Sequence, residues 1–292
     1  MIQKNDFHLI INSFENVQFV NSNSIKSNSE QFSNSEILII PPKYLTIFTL
    51  DTIQLFKKLK YVIVASSGYD GLNLELLKNN NIKVSNCPGA NSIAVSEFTM
   101  FQILDQAKRV NYEHNHHSIE LNKKTIGIIG TGYIGKLVCK KALAFGMRVI
   151  GNNKRLNNVY PFPEICRLEK LLFQSDFVSL HIPLNDETKD FINRKKIKLM
   201  KKGVIIINAS RPELINIEAL IDALENKHIA GYSQDGEFLV AKKHEISILR
   251  SMNNVLFTPH IAYKTKESKI RTEKIILRML QNYRRGKILY AI

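Results

Sequence analysis

The chain has 292 residues, 44% of them apolar and 23% charged, with a formal net charge of +15. That length suits two domains with a substantial core, and the composition is that of a soluble globular protein, not a disordered or fibrous one. No apolar run reaches membrane-span length, and the polar start Met1–Phe7 does not resemble a signal peptide. Nor do the lysines form a basic helix: they fall in scattered pairs (Lys57-Lys58, Lys123-Lys124, Lys201-Lys202, Lys242-Lys243), which reads as a solvated surface. The expectation is a cytoplasmic protein with neither a nucleic-acid nor a membrane partner.

The first elements in chain order are short β-like runs at His8–Asn12, Val17–Val20, Glu36–Ile40 and Tyr61–Ala65. They alternate with a helical stretch, Thr49–Leu59, and the pattern predicts a small α/β unit. Asn21–Ser35 is rich in Ser and Asn and reads as a loop or irregular helix. From Ser92 to about Asn111 the positions Ile93, Val95, Phe98, Met100, Phe101, Ile103 and Leu104 predict a long buried helix. His114, His116 and His117 follow in a polar stretch with no acidic or thiol partner at ligand spacing, so a solvated loop or helix end is expected and no metal site. Cys87, Cys139 and Cys166 are widely separated and form no pair motif; reduced, buried thiols are expected.

Next comes an apolar strand, Thr125–Ile129, running into Gly130-Thr131-Gly132-Tyr133-Ile134-Gly135. After it Leu137, Val138, Ala142 and Leu143 recur at helical spacing, Gly146 stops the helix, and a second strand, Met147–Ile150, follows. Strand, glycine turn, helix and strand thus occur in order within about 30 residues, the arrangement of a dinucleotide site. The turn offers free backbone N–H groups and a positive helix end to a pyrophosphate. The first glycine makes the tight turn, the second lets backbone approach phosphate, and the third lets helix pack on strand.

The end of the second strand in such units carries an acid for the ribose 2′-hydroxyl when NAD is preferred. Here it reads Gly151-Asn152-Asn153-Lys154-Arg155. An amide in place of the carboxylate removes repulsion of a 2′-phosphate, and Lys154 and Arg155 add attraction, so NADP is expected over NAD; the bland alternative is a polar loop with solvated charges.

Further strands are predicted at Asp176–Ile182, Val204–Asn208, His228–Tyr232 and Asn254–Phe257, which continues a doubly wound sheet. Lys264–Arg285 reads as one helix with Ile270, Ile276, Leu277, Leu280 and Tyr283 apolar and the other face basic. It has no strand partner and must dock elsewhere.

Several separated segments resemble the D-isomer-specific 2-hydroxyacid dehydrogenases, in the glycerate and phosphoglycerate dehydrogenase-like branch. Ser67-Gly68-Tyr69-Asp70 is similar to the family's substrate loop, and Asn86-Cys87-Pro88-Gly89-Ala90-Asn91 with Val95-Ser96-Glu97 to its crossover into the cofactor domain. Leu180-His181-Ile182-Pro183-Leu184 with Glu187-Thr188 resembles the segment under the cofactor. Asn208-Ala209-Ser210-Arg211 resembles the catalytic arginine strand and Thr258-Pro259-His260 the catalytic histidine.

The resemblance implies two Rossmann-like or flavodoxin-like doubly wound α/β domains. Residues 1–92 and 265–292 would form a discontinuous substrate domain, and 93–264 the cofactor domain. It also implies a homodimer through the cofactor domains and a cleft that closes on substrate. The cofactor set it implies is Gly130, Gly132, Tyr133, Ile134, Gly135, Asn153, Lys154, Arg155, His181, Pro183, Thr188, Ala209, Ser210 and Asp235.

Arg211, just past an apolar strand, can hold a carboxylate and a carbonyl with its planar fork and stabilise developing negative charge. His260 can donate a proton on reduction and accept one on oxidation, because imidazole titrates near working pH. Backbone N–H groups at Ser67, Gly68 and Tyr69 would bind the substrate carboxylate, a role that rests on the resemblance.

Two departures stand beside this chemistry. The family pairs its histidine with a glutamate in a segment reading roughly Asp-Val-Phe-x-x-Glu-Pro; Asp235-Gly236-Glu237-Phe238-Leu239-Val240-Ala241 keeps the aspartate and has Val240 where the glutamate is expected. Glu237 could substitute through a shifted loop, with Glu245 a weaker candidate; without a carboxylate the histidine pKa should drop and acidic pH should favour a slow reaction. Pro212 stands where the family has glycine, which removes an N–H. Two functions remain in view: an NADP-preferring (or NAD-using) reductase of small 2-keto acids, of the glyoxylate and hydroxypyruvate reductase type, and a catalytically impaired dinucleotide-binding sensor or scaffold.

Overall fold

A computed structural model of the protein describes Ile10, Ser13 and residues 29–47, 49–108, 118–154, 156, 160–238 and 242–292. The chain divides into two compact units, Met1–Asn91 with Thr265–Ile292, and Ser92–Lys264.

The second unit is built on strands that read as continuous apolar runs, the signature of a parallel sheet covered on both faces. They are β4 (Thr125–Ile129), β5 (Arg148–Asn152), β6 (Phe177–Leu180), β7 (Val204–Asn208), β8 (Ile229–Asp235) and β9 (Val255–Thr258). All pairings are parallel, in the order β5-β4-β6-β7-β8-β9. Side-chain alternation feeds two cores. Val178, Leu180 and Ile206 pack with Leu171, Leu220 and Leu224 on one face, while Phe177, Ile205 and Ile207 pack with Met100, Ile103 and Val138 on the other. The second core lies under the helix Ser92–Lys108 and the helix Tyr133–Ala144. Because β4 has β5 on one side and β6 on the other, the winding direction reverses there, and in sheets of this kind a crevice opens outside the carboxyl ends of the strands at that point.

The first unit holds a three-stranded parallel sheet, β1 (Ile37–Ile40), β2 (Tyr61–Val64) and β3 (Lys83–Ser85), in the order β1-β2-β3. Val62, Val64 and Val84 face one core with Phe32, Ile53 and Leu77. Tyr61 and Ile63 face the other, where the terminal helix Lys266–Tyr283 brings Ile276, Met279 and Leu280. Tyr61 stacks on Tyr283 with ring centroids 5.0 Å apart, and its hydroxyl donates to Ser85 Oγ at 2.8 Å. The helix without a strand partner is thus docked on the first sheet, and Ser85 pairs antiparallel with Ala291 beyond it.

The α/β expectation holds. In the second unit β8 runs on to Asp235, and Ile93 and Phe101, expected on a buried helix, are exposed; the other differences lie in the first unit. β3 was not expected, because three residues are too short to show a period. The runs His8–Asn12 and Val17–Val20 lie outside the described residues except for Ile10, whose backbone is helical and not extended. In Asn21–Ser35 the described part forms a single helical turn, Ser29–Phe32. His114, His116 and His117 also lie outside the described residues. Among the described residues no helix is long and apolar enough to cross a membrane and no cluster of three metal-ligating side chains occurs. The three cysteines are free and buried, and burial pushes the Cys87 thiol up to about 12 and the Cys139 thiol up to about 11, as for inert core thiols.

Candidate functional site

The glycine turn sits at the carboxyl end of β4, at the crevice. Gly130 has φ +98 and its N–H donates to Asn152 O at 3.0 Å. A Cβ there would fall 2.2 Å from His181 O, so any side chain would collide with the neighbouring strand end as well as strain the backbone. A Cβ on Gly135 would fall 2.0 Å from Gly130 O, which is why the helix can begin so close to the turn. At Gly132, the N-cap of that helix, a Cβ would meet nothing within 4 Å. Two glycines therefore permit internal packing and one leaves open space beside free N–H groups of the helix start. Tyr133 and Ile134 begin the helix. These residues fit a dinucleotide pyrophosphate.

The loop after β5 carries Asn153, whose Nδ2 donates to Thr131 Oγ1 in the glycine turn at 3.3 Å. Lys154 Nζ lies 2.9 Å from Glu187 Oε2, an ion pair between side chains 88% and 75% exposed, and the lysine holds the Glu187 carboxyl below its usual range. Arg155 lies outside the described residues. Glu187 belongs to a tightly folded loop. Asn185 Oδ1 accepts from the N–H groups of Glu187 and Thr188, each at 3.0 Å, and Thr188 Oγ1 donates to Pro183 O at 2.7 Å. The Thr188 hydroxyl is thus spent on shaping its own loop.

At the end of β6 the His181 N–H donates to Ile129 O at 2.7 Å, and the imidazole Nε2 lies 2.8 Å from Ser179 Oγ. Its Nδ1 is buried with no partner among the described residues. Desolvation pushes the imidazole down to about 3, so it is neutral at physiological pH.

Ala209 and Ser210 form the bend after β7. Ser210 Oγ donates to Leu180 O at 2.8 Å, Ser210 N–H to Asn208 Oδ1 at 3.0 Å, and Asn208 Nδ2 to Arg211 O at 2.8 Å. This lashing holds Arg211 at the carboxyl end of the sheet. Pro212 is buried at the first position of a short 3-10 turn, Pro212–Leu214, where a backbone N–H has no partner within the turn. The substitution thus removes a donor that the turn itself does not use.

His260 follows β9, with φ +53, a backbone region uncommon for residues other than glycine. Its N–H donates to Thr258 O at 2.9 Å and its ring meets Tyr263 edge-on, with centroids 5.4 Å apart. The turn is fastened by Asp235. This carboxylate is 2% exposed, and it accepts from Thr258 Oγ1 at 2.6 Å and from the N–H groups of Ile261 and Ala262, both at 2.9 Å. Both oxygens of Asp235, the aspartate expected at the cofactor, hold the histidine's turn. Glu237, expected to substitute for the missing glutamate, instead accepts from Arg250 Nη2 at 2.8 Å in an exposed ion pair. Glu245 Oε2 accepts from Lys242 N–H at 2.9 Å at the start of the helix Lys243–Ser251. Val240 lies outside the described residues.

In the first unit, Ser67 Oγ donates to Cys87 O at 2.8 Å, Ser66 Oγ to Gly68 O at 2.6 Å, and Asn86 Nδ2 to Ser67 O at 2.7 Å. Side chains fold this loop, and among the described residues no protein acceptor takes the N–H groups of Ser67, Gly68 and Tyr69.

Sequence reasoning missed Asn208, Thr131 and Asn185 as organisers of these loops. Each lay within or beside a quoted motif, but a polar side chain that bonds its own loop looks in sequence like one that bonds a ligand.

The family described as D-isomer specific 2-hydroxyacid dehydrogenase, NAD binding domain, matches residues 96–262. A hydroxypyruvate reductase of Thermotoga maritima is 34% identical over 271 residues, covering 86% of this chain and 89% of the relative. A glyoxylate reductase of Aeropyrum pernix is 32% identical over 260 residues, covering 82% and 77%. Among solved structures, an acyclic imino acid reductase in complex with NADPH and D-Arg superposes with a TM-score of 0.84 at 28% identity, covering 100% of this chain and 96% of that one.

Proposed function

We propose, from the premise that this chain belongs to the D-isomer-specific 2-hydroxyacid dehydrogenase family, that it reduces a small 2-keto acid to a D-2-hydroxy acid with NAD(P)H. The observation that carries this reading is the shared location of Arg211 and His260. Both follow carboxyl ends of strands of the sheet whose crevice bears the glycine turn. The relatives named for hydroxypyruvate and glyoxylate reduction support substrates of that size.

With its pyrophosphate at the glycine turn, NAD(P)H would supply the hydride. Arg211 orients the keto acid by its carboxylate and carbonyl oxygens and offsets the negative charge that grows on the carbonyl oxygen as hydride arrives. Protonated His260 delivers the proton to that oxygen; neutral His260 takes it back on oxidation. Asp235 positions His260 without touching substrate. The N–H groups of Ser67, Gly68 and Tyr69, which have no acceptor among the described residues, are assigned to the substrate carboxylate. Glu237 is given no part in the proton transfer.

Residues 1–92 with 265–292 act as the substrate domain and 93–264 as the cofactor domain. NADP is the preferred nucleotide, on the strength of Asn153 and Lys154 at the end of β5. A cytoplasmic homodimer through the cofactor domains completes the reading; Ile93 and Phe101, 41% and 49% exposed on one helix, offer it an apolar surface.

The test is oxidation of NADPH and, separately, NADH with glyoxylate, hydroxypyruvate, pyruvate and phenylpyruvate at acidic and neutral pH. Turnover is expected with at least one, and His260→Ala should lower kcat by about 10²–10⁴-fold with nucleotide affinity unchanged. Tight nucleotide binding without turnover on any keto acid would overturn the reductase in favour of a dinucleotide sensor.

A further inference from the structure

The sequence carries no carboxylate at the end of β5, where a ribose-binding acid would stand, yet the fold delivers one there from elsewhere. Glu187, 33 residues further along the chain, pairs with Lys154 and so joins the loops that follow β5 and β6. Neither backbone drifts freely. Asn153 ties one loop to Thr131 of the glycine turn, and the Asn185 and Thr188 bonds fix the other. The two side chains themselves stand in water, where an ion pair of this kind adds about 0–1 kcal/mol to stability. Holding the fold together is therefore a poor account of the pair. What it changes is charge: beside Asn153 the rim presents a lysine already matched by a carboxylate.

We propose that Glu187 is a determinant of nucleotide choice. It competes with a ribose 2′-phosphate for Lys154 and supplies, through space, the acid that β5 lacks. A 2′-phosphate must displace Glu187 from Lys154 and then sit near a like charge, whereas a 2′-hydroxyl can leave the pair intact. The inference rests on the reading that the glycine turn holds NAD(P) with its ribose beside Asn153 and Lys154. Its consequence is that the preference for NADP is held down by Glu187 and that relieving this restraint needs a single neutral substitution.

The experiment is calorimetric titration of wild type, Glu187→Gln and Glu187→Gln/Lys154→Ala with NADPH, NADH, adenosine 2′,5′-bisphosphate and 5′-AMP. Glu187→Gln should tighten NADPH and the bisphosphate by about three- to tenfold, the effect of removing one charge several Å away in water, and leave NADH and 5′-AMP within about twofold. Adding Lys154→Ala should reverse the gain. An unchanged ratio of NADPH to NADH affinity in Glu187→Gln would overturn the inference, whichever nucleotide the wild type prefers. Failure of the wild type to bind either nucleotide would overturn the underlying cofactor reading, and the inference with it.

Discussion

Two carboxylates at the carboxyl ends of the same sheet are held in opposite ways. Asp235 lies out of water, at 2% exposure, and its oxygens accept two backbone N–H groups and a hydroxyl from the turn that bears His260. Glu187 stands in water and meets one lysine. Charge-assisted bonds in a buried site are strong and directional, and an acceptor removed from such a site strands its donors. An exposed pair is screened, loosely oriented and worth little to the fold. The turn that bears His260 is thus built for geometry, holding a histidine in left-handed backbone, while the rim beside Asn153 is built for adjustable charge.

Removing the buried carboxylate should have the largest effect. Asp235→Ala leaves the Ile261 and Ala262 N–H groups and the Thr258 hydroxyl without their acceptor, and should cost about 3 kcal/mol or more in urea unfolding, with loss of turnover. A cost below about 1 kcal/mol would break the contrast, because the turn would then be held by something else.

His181 sharpens the comparison from between the two ends. Its folded-state pKa is depressed to about 3 by burial, below the ordinary histidine value, so the unfolded chain binds more protons between roughly pH 6.5 and 3. Its contribution to stability is therefore intact above that window and is lost as pH falls through it, by at most about 1.4 kcal/mol per pH unit. His181→Gln should flatten the fall in unfolding free energy between pH 7 and 4. A variant with the same slope as wild type would show that this imidazole is not buried in its neutral form.

The smallest effect belongs to the exposed pair. Glu187→Gln should change unfolding free energy by less than about 1 kcal/mol even as nucleotide selectivity moves. A larger loss would recast the pair as structural and erase the distinction.

The strand–turn–helix–strand unit was legible because each part is local. β4 and β7 begin and end where their apolar runs do, and the glycines are demanded by backbone conformation and space within the turn. Arg211 and His260 were legible because both follow such a strand in a recognisable segment. Other features carried no local signal. β3 is three residues long, and its place is fixed by pairing with β2. Glu237 sits near enough to His260 in the segment's pattern to invite a catalytic role, yet its partner is Arg250, 13 residues away on the next helix.

By itself, then, the sequence determined the glycine turn, the covered parallel sheet and the placement of Arg211 and His260 just past strand ends. Those follow from periodicity, glycine geometry and the chemistry of single residues. Only the tertiary structure decided where the terminal helix docks, that Asp235 clamps the His260 turn, and that Glu187 reaches Lys154. Each of these joins residues brought together by the order in which strands cross and by the path of the loops between them, and side-chain pairing at such distances leaves no period in the chain.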